Sequence, residues 1–198
     1  MSNKLSPDWP CVKIRPAHNL FFAILVPSPL EEDISNLFEN LKQRYRVRKT
    51  QIPAPRLHVT LFGVFAGDSL PQRIVELSRL VGGAIRFVEF DLVLSRILSF
   101  RNTQTEKPLV LVADANSARL VNRLVGQIGE AFTALSGLQT PRTRPITPHL
   151  TLVWHRITVP EQPIAPVKLP VSEIALIHSH VGKSKYDVLG RGELVPFQ

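Results

Sequence analysis

Two histidine–threonine pairs in closely matched settings are the residues of this chain best placed to do chemistry. Leu57-His58-Val59-Thr60-Leu61 is echoed by Pro148-His149-Leu150-Thr151-Leu152, and each copy follows a basic, proline-bearing loop. Both copies read as strands. Side chains alternate along a strand, so His58 and Thr60 share one face about 7 Å apart while Val59 and Leu61 turn to the core. The same alternation pairs His149 with Thr151 and buries Leu150 and Leu152. Each strand then offers an imidazole and a hydroxyl together. An imidazole titrates near pH ~6.5, so at neutral pH one copy can hold a proton while the other lacks one. Two such groups flanking a phosphorus atom would deprotonate a water and protonate a leaving oxygen. The hydroxyls of Thr60 and Thr151 would donate to non-bridging oxygens as charge builds there. A lone strand histidine is usually a packing or edge residue. A second copy matched in flanks and context points instead to a site.

The elements that must carry these residues follow from periodicity and turn chemistry. Leu20 to Val26 is a continuous apolar run ending at Pro27, a buried strand. Ser28-Pro29-Leu30-Glu31 matches a capping box, and Leu30, Ile34, Leu37, Phe38, Leu41 and Tyr45 continue at helical spacing to about Val47. Gln51 to Arg56 is a loop and Leu57 to Phe65 a strand. Ser69-Leu70-Pro71-Gln72 repeats the capping signal before a second helix that Gly82-Gly83 should end. Ile85 to Phe100 reads as one long strand or a bent pair, and Leu109 to Ala113 as a short buried strand. A third helix runs from about Leu120 to Gly137. A basic loop, Pro141 to Pro148, leads into a strand from His149 to Ile157. Pro160 to Pro170 holds four prolines and reads as a linker or lip. Strands near Ile174–His178 and Tyr186–Leu194 complete an α+β chain with mainly antiparallel sheets.

Composition narrows the class. The 198 residues are 44% hydrophobic and 20% charged, a globular balance long enough to bury roughly 70% of the unfolded surface. The single cysteine, Cys11, excludes an internal disulfide and a cysteine-based zinc site. Without a run of about eighteen apolar residues, a membrane helix is not expected. The polar stretch Met1 to Pro10 does not resemble a signal peptide, so the cytoplasm is the expected location; a monomer is the expected state. Lys and Arg number 24 against 16 Asp and Glu, a net charge of +8 that suits a polyanionic partner. Between Glu39 and Asp68 no acidic residue occurs, while Lys42, Arg44, Arg46, Arg48, Lys49 and Arg56 do. If the helix extends through them, Lys42, Arg46 and Lys49 fall near one face that could follow a phosphate backbone. The alternative is a solvated helix end.

The two motifs, the opening Leu20-Phe21-Phe22-Ala23-Ile24-Leu25-Val26-Pro27, and Leu176, Ser179 and Tyr186 in the tail together resemble the 2H phosphoesterase superfamily, especially its bacterial 2′–5′ RNA ligase and RNA 2′,3′-cyclic phosphodiesterase branch. The resemblance implies a single bilobal domain over residues 1–198, with residues 1–18 as an irregular extension. Its two lobes would be duplicated antiparallel sheets related by a pseudo-two-fold axis, with helices outside and a cleft between. It also implies opening of 2′,3′-cyclic phosphates, on RNA termini or nucleotides, to 2′-phosphates without metal or other cofactor, or 2′–5′ ligation by related chemistry in reverse. His58 would be the acid for the 3′ oxygen and His149 the base for water, an assignment that symmetry can invert. Thr60 and Thr151 would hold the phosphate. Two departures stand out. Relatives often carry arginine five positions after the second histidine, where this chain has Trp154. The first motif is followed by Leu61-Phe62-Gly63, tighter than the apolar run common in the family.

Other residues are secondary. Arg56, Arg142 and Arg144 precede the motifs and are candidates to steer phosphate. His155 should share the face of His149 and Thr151 on a regular strand, or sit at the surface. His178 and His180 alternate, but no carboxylate or cysteine clusters beside them, so a metal is not expected. Trp154, Phe62 and Tyr186 are candidates to stack a base, with core packing the default for the first two. Two other functions compete with the RNA enzyme. One is an idle RNA-binding module; the other is a phosphodiesterase for ADP-ribose cyclic phosphate or 2′–5′ oligoadenylate.

Overall fold

The computed structural model describes residues 16–101, 105–137 and 144–196. Its strands are β1 (His18–Leu25), β2 (His58–Gly67), β3 (Phe90–Ser99), β4 (Lys107–Ala113), β5 (His149–His155), β6 (Gln162–Val171), β7 (Glu173–His180) and β8 (Lys185–Glu193). Its helices are α1 (Ser28–Tyr45), α2 (Gln72–Ala84) and α3 (Ala115–Ser136), with a 3-10 turn at Ala54–Arg56. The strands form one antiparallel sheet in the order β6-β3-β4-β5-β2-β1-β7-β8. Read outward from the centre, each half runs motif strand, the strand before it in the chain, then two more. Each motif strand is joined to that earlier neighbour through a helix: β1–α1–β2 in one half and β4–α3–β5 in the other. That is the expected duplicated α+β plan.

The alternation of the strands sorts the two sheet faces. Leu20, Phe22 and Ile24 of β1, Val59 and Leu61 of β2, Leu109 and Leu111 of β4, and Leu150 and Leu152 of β5 are buried in one core. Ile34 and Phe38 of α1, Val75 and Val81 of α2, and Leu124 and Ile128 of α3 cover the same face. Burying each such side chain contributes about 1.5–3 kcal/mol, which is what holds helices of modest propensity against the sheet. The opposite face carries a smaller apolar cluster of Ala23, Ala175 and Ile177 with Phe21, Leu25 and Tyr186 beside it, and the buried Val110 and Val112 of β4. That sparser face is the one on which the motif histidines stand.

Several local expectations change. Pro27 and Pro71 are the N-caps of α1 and α2, and neither helix has a side-chain cap. Ser28 and Gln72 are already helical, so the capping box does not form; α1 keeps proline in its first turn, and α2 has its proline as the cap itself. Of the three helices, α3 is the one capped by a side chain: Asp114 accepts from the Ser117 N–H. α1 stops at Tyr45, because Arg46 takes a left-handed conformation with φ of 52° and closes the helix on the carbonyls of Gln43 and Lys42. Gly82 does not end α2; it is buried inside it. A Cβ built on Gly192 of β8 would lie 2.4 Å from the Gly82 carbonyl oxygen, so helix and strand approach as closely as they do because Gly192 has no side chain. Pro160 to Pro170 is no linker but mostly the edge strand β6. Among the described residues no strand pairs with its outer side, so missing proline N–H groups are tolerated there. β3 is regular only from Phe90, since Val88 just before it bridges instead to Val195.

Candidate active site

The motif strands meet edge to edge at the sheet centre through one residue pair, Val59 and Leu150. Antiparallel pairing about that point sets His58 level with Thr151 and Thr60 level with His149. The four residues chosen from sequence are thus brought together around the local two-fold. Each motif strand then bulges one residue past its threonine. Along β1–β2 the register passes from Ala23–Thr60 to Phe22–Phe62, skipping Leu61; along β4–β5 it passes from Val110–Thr151 to Leu109–Val153, skipping Leu152. A bulge inserts one residue and so reverses which face the following residues occupy. Phe62 turns to the core and stacks on Phe132 at 5.5 Å. Trp154 swings onto the face of His149 and Thr151, 42% exposed. His155 goes to the other side, only 3% exposed, with Nε2 3.0 Å from the Ser99 hydroxyl. The expectations for His155 as a cleft or surface residue and for Trp154 as core are both overturned by that single bulge.

Both catalytic candidates are oriented in the same way. Nδ1 of His58 lies 2.7 Å from the Arg56 carbonyl oxygen, and Nδ1 of His149 lies 2.7 Å from that of Thr147. A carbonyl only accepts, so each Nδ1 carries the hydrogen and Nε2 remains for substrate. An aromatic ring braces each imidazole: Phe21 with Tyr186 beside His58, at 5.3 and 5.5 Å between centroids, and Phe100 edge-on to His149 at 4.7 Å. Burial is the main cause that lowers the His58 pKa below the usual imidazole value. The charges of His149 and Arg56 act the same way, and the hydrogen bond to the Arg56 carbonyl opposes them. A cavity of about 540 Å³ lies against His58, Thr60, Phe21, Ser179 and Tyr186. Another of about 570 Å³ lies against His149, Thr147, Phe100 and Arg101. Thr60 and Gly63 line both, so the two adjoin at the sheet centre.

The arginines divide. Arg56 stands over the Tyr186 ring at 5.2 Å, and its buried Nε has no partner among the described residues. Arg144 is exposed on the loop leading into β5, whereas Arg142 falls outside the described residues. Arg101, in the His149 cavity, has no motif around it and was invisible in the sequence. Phe21 and Phe100 were equally silent, since an aromatic beside a strand end reads as core. The basic interval before the first motif does not form a helix face. Arg46 and Lys49 lie beyond the end of α1, Lys42 pairs with Glu39 at 3.2 Å, and Lys49 pairs with Glu106. Nor are His178 and His180 isolated from carboxylates: Asp187 lies 2.6 Å from His180.

A family profile described as the 2′-5′ RNA ligase superfamily matches residues 26–183, a span that includes both motifs. The chain belongs to the 2′-5′ RNA ligase superfamily. Solved structures agree on the fold of this superfamily member. TT0787 of Thermus thermophilus superposes with a TM-score of 0.69 at 22% identity, over 91% of this chain and 100% of that one. E. coli LigT in its apo form gives a TM-score of 0.67 at 22% identity, over 91% and 99%. A protein described as a phosphoesterase gives 0.64 at 22% identity, over 91% and 99%. LigT has also been solved with 3′-AMP and with ATP. No curated protein matches the sequence. No helix among the described residues is long and apolar enough to cross a membrane. Profile and fold thus agree on the 2H phosphoesterase-like plan, that of a superfamily of phosphoesterases.

Proposed function

We propose that the chain opens 2′,3′-cyclic phosphates at RNA termini or on nucleotides, giving 2′-phosphates, with His58 and His149 as the acid–base pair. The observation that carries this reading is the paired orientation of the imidazoles: each Nδ1–H is tied to the carbonyl two residues earlier, and each Nε2 is left for the cleft. The phosphate sits at the sheet centre with Thr60 and Thr151 donating to its non-bridging oxygens. Nε2 of His149 takes a proton from water as the water oxygen bonds to phosphorus. The bond from phosphorus to the 3′ oxygen breaks in line, and His58 gives that oxygen its proton. Arg56, Arg101 and Arg144 supply positive charge around the anion. Trp154, on the same face of β5, offers a stacking surface where relatives often place arginine.

The lowered pKa of His58 bears on the order of events. In the free cleft His58 favours its neutral form, and the bound phosphate anion supplies the counter-charge that lets it hold a proton. The acid is therefore armed by substrate. Incubating the chain with each nucleoside 2′,3′-cyclic monophosphate, and with oligonucleotides bearing that end, tests the reading. Conversion to 2′-phosphates is expected; 3′-phosphates alone, or no turnover of any of these, would remove it. The nucleotide-bound forms of LigT favour a mononucleotide-sized ligand over an idle RNA-binding surface.

A further inference from the structure

Three histidines converge on the helix-bearing face of the sheet, away from the cleft. His18 of β1 pairs with His180 of β7, and Leu20 of β1 pairs with His178, so the strand alternation that buries Leu20 and Leu176 puts all three imidazoles on the core side. Their neighbours Asn19, Ser179 and Tyr186 point the other way and line the His58 cavity. One ring nitrogen from each of His18, His178 and His180 lies within 4.8 Å of the others. Asp187 of β8 pairs with His178 in register and holds Nε2 of His180 at 2.6 Å. This is the arrangement by which a carboxylate fixes the tautomer and ring angle of a ligating histidine, leaving the other ring nitrogen for an ion.

We infer that His18, His178 and His180 form a binding site for one divalent transition ion that favours imidazole, with Asp187 orienting His180. Three neutral nitrogens select zinc, nickel or copper over magnesium or calcium, which demand oxygen ligands. The spacing is close to what such an ion needs. Ligand nitrogens about 2.0–2.1 Å from a tetrahedral ion stand roughly 3.4 Å apart. Nδ1 of His18 and Nε2 of His178 lie 2.8 Å apart, so a small rotation of either ring admits the ion. His178 is 8% exposed and held by packing, while His18 and His180 are partly open, which provides a route in. Lys185, 3.3 Å from Asp187, is the nearby charge that opposes a cation, and its side chain is 61% exposed and free to swing outward. An ion here would join β1, β7 and β8 on the side of the sheet opposite the reaction. It is a structural site, independent of the cleft chemistry.

The experiment uses the untagged full chain, stripped with chelator and titrated with Zn²⁺ by calorimetry, with Mg²⁺ as the control cation. Expected are one zinc per chain at micromolar metal, no response to Mg²⁺, and a Tm rise of roughly 5–10 °C at a hundredfold excess over Kd. H18Q and H178Q should each abolish stoichiometric binding, and D187N should weaken it roughly 10- to 100-fold. H18Q changes a partly open residue at a strand end, so it reports even if the buried H178Q variant fails to fold. The double variant H58A/H149A should bind zinc as the parent does. No binding by the parent, binding that survives H18Q, or binding lost in H58A/H149A would overturn the site. Because the readout is metal and not turnover, failure here is separable from failure of the phosphodiesterase reading.

Discussion

The two motif imidazoles share a hydrogen-bonding pattern but not a setting, and that difference can be measured. Changing either His58 or His149 to Ala should lower turnover of a cyclic phosphate by about 10²–10⁴-fold, with the double variant little worse than either single one. The roles separate on a phosphodiester whose leaving group is p-nitrophenolate, which departs without protonation. H58A should recover most of its loss on that substrate while H149A should not; the opposite pattern would reverse acid and base. Thr60→Val and Thr151→Val each remove one donor and should lower kcat by roughly 10²–10³-fold, with Ser restoring most of it. His155 gives a stability prediction. Burial lowers its pKa in the fold, so its neutral form contributes stability that is complete above the unfolded value near 6.5. That contribution is lost as pH falls from about 6.5 toward the folded value, where the unfolded chain binds the extra proton. Tm should therefore drop as pH falls below about 6.5, and His155→Gln should flatten part of that drop, His58 and His178 supplying the rest because burial lowers them in the same direction; an unchanged pH dependence in His155→Gln would count against it.

Elements position these residues through two bulges and one close approach. A regular β5 would carry His155 into the cleft and Trp154 into the core, and the bulge at Leu152 exchanges them. The contact between Gly192 and the Gly82 carbonyl fixes α2 against β8, the strand that carries Tyr186 to His58. Gly192→Ala should force α2 outward and destabilise the chain by about 1–3 kcal/mol in urea unfolding. Gly83→Ala, one residue from the contact and facing open space, should instead be neutral or stabilise by up to about 1 kcal/mol. Equal effects from the two changes would mean that the approach of helix to strand is not limiting.

At the scale of the whole molecule, a positive chain does not make a positive groove. The net charge of +8 counts every Lys and Arg, yet Lys42 and Lys49 are ion-paired and Arg44 lies near the Tyr45 ring. Of the candidate steering arginines, Arg56 stands over the Tyr186 ring beside His58 and Arg101 lines the His149 cavity. Binding of an oligonucleotide with a 2′,3′-cyclic end should show a log–log salt slope of about −0.7 for each phosphate held. Changing Lys42, Arg46 and Lys49 together to Ala should leave that slope unaltered, whereas Arg101→Ala should reduce it. A slope that collapses with the triple change would restore the interval before the first motif as an RNA track.

The sequence alone determined the fold class and the shared strand face of the His–Thr pairs proposed as the catalytic quartet. Strand alternation is a local property, and both motifs kept their histidine and threonine on one face with hydrophobic neighbours on the other. The starts of α1 and α2 were legible because proline at or beside the N-cap is local chemistry too, whereas α3 begins at Ala115 behind the Asp114 cap, ahead of the Leu120 read from periodicity. What only the tertiary structure decided is everything that depends on a second strand. The bulges that place Trp154 and His155 arise from register against β1 and β4. The edge position that makes the proline-rich β6 a strand depends on β3 being its sole neighbour in the sheet. The bracing of His58 and His149 by Phe21, Tyr186 and Phe100 joins residues from distant parts of the chain. His18, His178 and Asp187 meet for the same reason: three strands, two of them far from the first in sequence, bring them together, and no spacing along the chain encodes that meeting.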